Sequence, residues 1–141
     1  MSREQSWRRI RLFLDANVLI SASWKDNSKV ARIWHIAGVE LVTSNYVIDE
    51  CRRNLPRPEQ RDCLDDFLSS VRILDFERAP VLEASPPLPA KDQPVLAAAV
   101  LSRADFLVTG DRKHFGAWYG TTLLGLRIEP PARFPSVLEE S

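Results

Sequence analysis

The chain has 141 residues, 45% of them hydrophobic and 27% charged, a balance that excludes a disordered segment and supplies one apolar core. Its 19 basic and 19 acidic residues cancel to a formal net charge of +0. Coating of nucleic acid by the field of the whole molecule is thereby excluded, and any such contact falls to a local patch. Cys51 and Cys63 lack disulfide or zinc-site spacing, the first residues lack the apolar core of a leader, and no run is long enough for a membrane span. The expectation is one cytoplasmic domain over residues 1–141, with its core at about 10–130 and no membrane partner.

In chain order, Ile10 to Leu14 reads as a short buried strand, ended by the turn-prone Asp15-Ala16-Asn17 and followed by a polar loop that carries Trp24 and Lys25. Val30, Ile33, Trp34 and Ala37 recur at helical spacing within Lys29 to Gly38, with the glycine as the stop, and Val39 to Thr43 reads as a second strand. Ser44 is an N-cap for a helix to about Asn54, whose stripe is Val47, Ile48, Cys51 and Leu55. On that helix Glu50 falls on the flank of the stripe, and Asp49 points away. A helix through Cys63, Leu64, Phe67 and Leu68 leads to a strand at Val71 to Leu74.

Pro80 to Pro94 holds half of the prolines and reads as an irregular connection ending at Asp92. The alanine-rich helix Pro94 to Ser102, apolar nearly all round, suits burial against a sheet, and the strand Phe106 to Thr109 follows at once. Leu126 to Ile128 offers one more strand before a short terminal helix over 133–140. Alternating strands and helices predict an α/β fold, a three-layer α/β/α sandwich around a central parallel sheet. Functional residues of such folds gather beyond the carboxyl ends of the strands.

Four acids stand at the ends of apolar segments: Asp15, Glu50, Asp92 and Asp111. A lone carboxylate at the edge of a core is costly unless a cation neutralises it, and hard oxygen donors suit Mg²⁺ or Mn²⁺. Taken singly, each acid has a plainer role. Asp15 and Asp92 suit helix caps, Glu50 a solvated boundary and Asp111 a turn.

The pattern around the acids resembles the PIN-domain nucleases, many of which are VapC-like toxins of toxin–antitoxin pairs. The matching residues are Leu14-Asp15-Ala16-Asn17-Val18-Leu19-Ile20, then Ser44 with Glu50, then Lys91-Asp92-Gln93-Pro94-Val95-Leu96-Ala97-Ala98, then Ala104-Asp105-Phe106-Leu107-Val108-Thr109-Gly110-Asp111. All four strings occur in the family's order, which four unrelated caps would not reproduce. The resemblance implies hydrolysis of RNA phosphodiesters with one or two Mg²⁺ or Mn²⁺ ions, no protein nucleophile, a small antitoxin partner and self-association as a dimer.

On that reading Asp15 and Asp111 contact metal directly. Glu50 and Asp92 bind it directly or through water, and Asn17, Ser44 and Thr109 orient the carboxylates. Arg52, Arg53, Lys91, Arg112 and Lys113 are the cations nearest the acids for RNA phosphates, and Trp24 is an aromatic for base stacking. Asp105, at the opposite end of its strand from Asp111, is assigned a structural role. His114, where many members carry a further acid, reads as a surface or core histidine. The rival readings are a catalytically silent PIN-like module that binds RNA or protein, and a phosphatase with Asp15 as covalent nucleophile. The latter wants a second acid where this chain has Asn17.

Overall fold

The computed structural model describes residues 9–24 and 28–140. Its centre is a six-stranded sheet of order β3-β2-β1-β4-β6-β5. The strands are β1 (Ile10–Leu14), β2 (Val39–Ser44), β3 (Val71–Leu74), β4 (Phe106–Val108), β5 (Thr122–Leu123) and β6 (Leu126–Glu129). Every pairing is parallel except that of the two-residue edge strand β5 with β6. Leu12 and Leu14 face one side of β1 and Phe13 the other, and all three are fully buried. Burial on both faces is what a central parallel strand requires, and it explains the continuous apolar run in the sequence.

The helices are α1 (Ala16–Trp24), α2 (Ser28–Ala31), α3 (Asn45–Arg53), α4 (Pro58–Leu68), α5 (Gln93–Leu101) and α6 (Arg112–Phe115). Helix α1 packs on α3 and α4, whereas α5 lies against β2 and β4. Residues Val95 to Ala99 of α5 are all buried, as its uniformly apolar sequence predicts. Ser44 caps α3, its Oγ accepting from the Val47 amide at 3.2 Å.

Three stretches differ from the sequence expectation. The turn-prone residues after Leu14 do not form a loop: the Asp15 carbonyl accepts from the amides of Val18 and Leu19, so α1 begins directly at the strand end. Trp24 therefore closes a helix, where it is 47% exposed, and Lys25 lies outside the described residues. The segment from Lys29 is a single α turn followed by a 3-10 turn at Arg32–His35, and Gly38 reverses the chain with φ +80°. Trp34 there packs on Phe67, ring centroids 4.6 Å apart, and donates to its carbonyl. At the C-terminus two 3-10 turns, Pro131–Arg133 and Ser136–Glu139, replace the single helix, because Pro135 between them lacks the amide hydrogen a continuous helix would use.

Asp105 performs the structural role assigned to it. Its Oδ2 accepts from the Arg11 amide at 2.8 Å and its own amide donates to the Arg11 carbonyl, closing the β1–β4 ladder at the end remote from Asp111. Asp105→Ala leaves that amide without its acceptor and is expected to cost about 1–2 kcal/mol in urea unfolding. Metal binding is expected to be unchanged; a loss of metal affinity equal to that of an Asp111 variant would refute this division of labour.

Candidate metal centre

Strand register brings the first two candidates together. Leu14 pairs with Val108, so the residues that follow, Asp15 and Thr109, face each other at the carboxyl edge of the sheet. The Thr109 hydroxyl donates to Asp15 Oδ2 at 2.8 Å, the Asn17 amide donates to the same oxygen at 3.2 Å, and the Ala16 amide donates to Asp15 Oδ1 at 2.7 Å. Asn17 Oδ1 in turn accepts from the Gly110 amide at 2.6 Å, and Thr109 Oγ1 accepts from the Asp111 amide at 3.2 Å. Tyr119 pins the same turn by donating to the Thr109 carbonyl at 2.7 Å. Asn17 and Thr109 thus hold Asp15 in one orientation and join it to the loop that carries Asp111.

Asp15 is nonetheless poorly placed for an isolated charge. Burial pushes its pKa from 3.8 up to about 6; the Thr109 and Ala16 hydrogen bonds oppose the rise, and the Glu50 and Asp92 charges add to it. Glu50 lies half-buried on α3, where the flank position predicted from the stripe puts it, with Asp49 exposed beside it. Glu50, Ser44, Arg53, Lys91, Pro94 and Val95 line a cleft of about 140 Å³. Among the described residues Ser44 makes no side-chain bond to an acid; its oxygen caps the helix that presents Glu50 by accepting from Val47, which leaves its O–H free to donate.

Asp92 precedes α5 but does not cap it with its side chain. The carboxylate turns instead toward His114, whose Nδ1 lies 2.8 Å from Asp92 Oδ2 and 2.9 Å from Asp111 Oδ2. Asp111 Oδ1 caps the α6 turn by accepting from the His114 amide at 3.1 Å, which fixes the imidazole beside its own carboxylate. Burial raises the pKa of Asp92, and the Asp111 charge adds to that, while His114 and Lys91 oppose it. His114 was read from the sequence as a bystander; the structure puts it between two of the acids. The contact with Asp111 is a local i,i+3 pair, but that with Asp92 arises only where the start of α5 meets the turn after β4, and no local signal carries it.

The close approach of Asp92 and His114 is an electrostatic contact without hydrogen-bond alignment. Asp92 Oδ2 and His114 Nδ1 are both shielded from solvent and without a hydrogen-bond partner among the described residues. Buried polar atoms left in this way are the kind that a bound water or ion satisfies. One donor atom from each of Asp92, Asp111 and His114 lies within 4.8 Å of the others, a spacing suited to a divalent cation. The donor set therefore fits the metal that the sequence pattern implies.

The cations divide. Arg52 is turned to Asp65, at 3.3 Å on the exposed side of α3, and so is not directed at the acids. Arg53 and Lys91 line the cleft with Glu50, and Arg112 and Lys113 are exposed on α6 next to Asp111. One further acid, Glu129 at the end of β6, is buried at the same edge of the sheet but lies 2.6 Å from Arg127 and 3.7 Å from Arg133. Its neutralisation by two arginines separates it from Asp92, and it anchors the C-terminal turns.

The sequence matches the PIN domain family over residues 11–113, close to three-quarters of the chain. This chain belongs to the PIN domain family. The matched PIN region contains Asp15, Glu50, Asp92 and Asp111, whereas His114 lies just beyond it. Among solved structures, the PIN fold of this chain is similar to a chain of VapBC2 from Rickettsia felis bound to a DNA fragment from their promoter. The TM-score is 0.65 at 17% identity, covering 86% of this chain and 98% of that one. A chain of DNA-bound VapBC from Salmonella typhimurium gives a TM-score of 0.62 at 18% identity, with the same coverage of each. No curated protein matches the sequence.

Proposed function

We propose that this PIN-domain protein is a divalent-metal-dependent endoribonuclease, the toxin of a toxin–antitoxin pair, acting as a single cytoplasmic domain and self-associating as a dimer. The observation that carries the nuclease reading is the meeting of Asp15, Glu50, Asp92 and Asp111 at one sheet edge, with Asp92 buried against His114 but without an aligned hydrogen bond there. The likeness in fold to chains of VapBC complexes supports a small antitoxin as partner. Among the described residues no helix is long and apolar enough to cross a membrane.

One or two Mg²⁺ or Mn²⁺ ions supply, when bound, the positive charge that acidifies a water and stabilises the pentacovalent phosphate. Asp15, Asp92 and Asp111 are the residues to hold them. Asp15 needs no reorganisation to do so, because three donors already fix both of its oxygens. Glu50 borders the open cleft, where its carboxylate positions the attacking water. Arg53, Lys91 and Arg112 meet the flanking phosphates, and their positive charge offsets the repulsion between RNA and four acids.

The reading is tested with a mixed panel of structured and single-stranded RNAs, incubated with the purified protein and Mg²⁺, Mn²⁺ or EDTA beside Asp111→Asn. Cleavage is expected only with metal, and Asp111→Asn is expected to lower it at least about a hundredfold. Absence of cleavage together with absence of metal binding would favour the silent binding module instead.

A further inference from the structure

We propose that His114 is itself a metal ligand, through Nδ1, and that it makes this centre select Mn²⁺ over Mg²⁺. The inference rests on the metal-dependent reading above and specifies which ion that site takes.

Three observations support it. His114 Nδ1 stands 2.8 and 2.9 Å from one oxygen each of Asp92 and Asp111. Adjacent ligands of an octahedral ion at about 2.1 Å are separated by about 3 Å, so each of the two contacts of Nδ1 has the length of an edge of such a shell, and the two carboxylate oxygens lie within 4.8 Å of each other. A structural ion pair would direct the imidazole N–H along the axis to one of the two oxygens. Here Nδ1 has no hydrogen-bond partner among the described residues, and neither has Asp92 Oδ2. Asp92 is only 7% exposed, so bulk solvent does not reach that oxygen. The imidazole is also held in place from behind. Its amide is bound by Asp111 Oδ1, and the next residue, Phe115, is fully buried.

The choice of ion follows from the donor. Mg²⁺ takes oxygen ligands and gains little from an imidazole nitrogen, whereas Mn²⁺, although the weakest of the first-row transition ions for nitrogen, accepts one beside carboxylates more readily than Mg²⁺ does. Two carboxylates and a nitrogen therefore favour Mn²⁺, where an all-carboxylate centre would accept Mg²⁺. The chain's other histidine, His35, is exposed on the 3-10 turn before β2 and is no substitute.

The test is metal binding by the full chain, with turnover set aside. Calorimetric titration with MnCl₂ and with MgCl₂ is run on the wild type, His114→Asn and His114→Asp, and the Mn²⁺-loaded proteins are examined by electron spin echo spectroscopy. The wild type is expected to show ¹⁴N modulation from a coordinated imidazole and to bind Mn²⁺ more tightly than Mg²⁺. His114→Asn is expected to lose the modulation and about 10–100-fold in Mn²⁺ affinity, with Mg²⁺ affinity nearly unchanged. His114→Asp, which keeps a ligand but changes its type, is expected to bind Mg²⁺ better than the wild type. Mn²⁺ bound without nitrogen modulation, or an equal loss of both ions in His114→Asn, would overturn the assignment of His114 and leave the nuclease reading standing. Failure of the folded wild type to bind either ion would overturn both.

Discussion

Asp15→Asn is expected to cleave RNA about a thousandfold more slowly than the wild type, while melting at a higher temperature when both are free of metal at pH 7.5. The first effect corresponds to about 4 kcal/mol of lost transition-state stabilisation, since a neutral amide supplies neither the charge nor the second lone-pair oxygen that a cation needs. The second follows from the environment of the carboxylate. Buried, and facing the charges of Glu50 and Asp92, Asp15 has its pKa raised from 3.8 to about 6. The folded state therefore binds its proton more tightly than the unfolded chain does. Stability from this group rises as pH falls through 6 toward 4, and is lost again as pH climbs through 6. At pH 7.5 the ionised form costs up to about 3 kcal/mol.

Asparagine removes that cost but brings an amide where Asp15 Oδ2 accepts from Thr109 and Asn17. The Thr109 hydroxyl can turn to accept from it, whereas the Asn17 amide then meets another donor. A net gain of about 1–2 kcal/mol, or roughly 3–6 °C in Tm, is the expected balance. The distinguishing measurement is the melting temperature in EDTA at pH 7.5 and pH 5. The advantage of the variant is expected to shrink at pH 5, where the wild-type carboxyl is largely protonated. An equal advantage at both values would show that it does not come from relief of the buried charge.

This opposition between stability and activity also explains which parts of the molecule could be read from sequence. β1, β2, β3, β4 and β6 were legible because each is a short stretch rich in Val, Ile, Leu or Phe between turns or helices. The acids were legible for the opposite reason: Asp15 and Asp111 interrupt apolar segments at points where a stable fold gains nothing from charge. Helix α1 was not legible. Its residues Ala16, Val18, Leu19, Ala22 and Ser23 are all buried, so no polar face sets a helical period, and Asp15-Ala16-Asn17 resembles a turn. The helix forms because tertiary burial covers it and the Asp15 carbonyl starts its hydrogen-bonding. The role of His114 was illegible in a different way. It comes from a contact with Asp92, which ends a proline-rich connection whose path no local pattern specifies. Ser44 was legible as the cap on α3, and its O–H is left free by that cap.

The second large effect concerns the hydroxyl that joins the two halves of the site. Thr109→Val keeps the shape of the side chain and is expected to lower metal affinity about 10–100-fold and move the pH at half-maximal activity upward. Thr109 Oγ1 donates to Asp15 Oδ2 at 2.8 Å and accepts from the Asp111 amide at 3.2 Å and the Asn17 amide at 3.3 Å. Of the interactions that lower the pKa of Asp15, the Thr109 hydrogen bond is the largest. Removing it favours the protonated carboxyl, so the value rises from about 6, and more of the protein at neutral pH carries an acid unable to bind a cation. Valine also leaves the Asp111 amide without its acceptor, which loosens the loop that presents the next carboxylate, at about 1–3 kcal/mol in stability. Thr109→Ser, which keeps the hydroxyl and gives up only a methyl group, is expected to preserve the pH profile. The check is a set of rate–pH profiles for the three proteins under saturating metal and under limiting metal. An alkaline shift in Thr109→Val that is absent from Thr109→Ser assigns the tuning of Asp15 to the hydroxyl. A uniform fall in rate, with the profile unmoved, would mean that Thr109 serves packing alone.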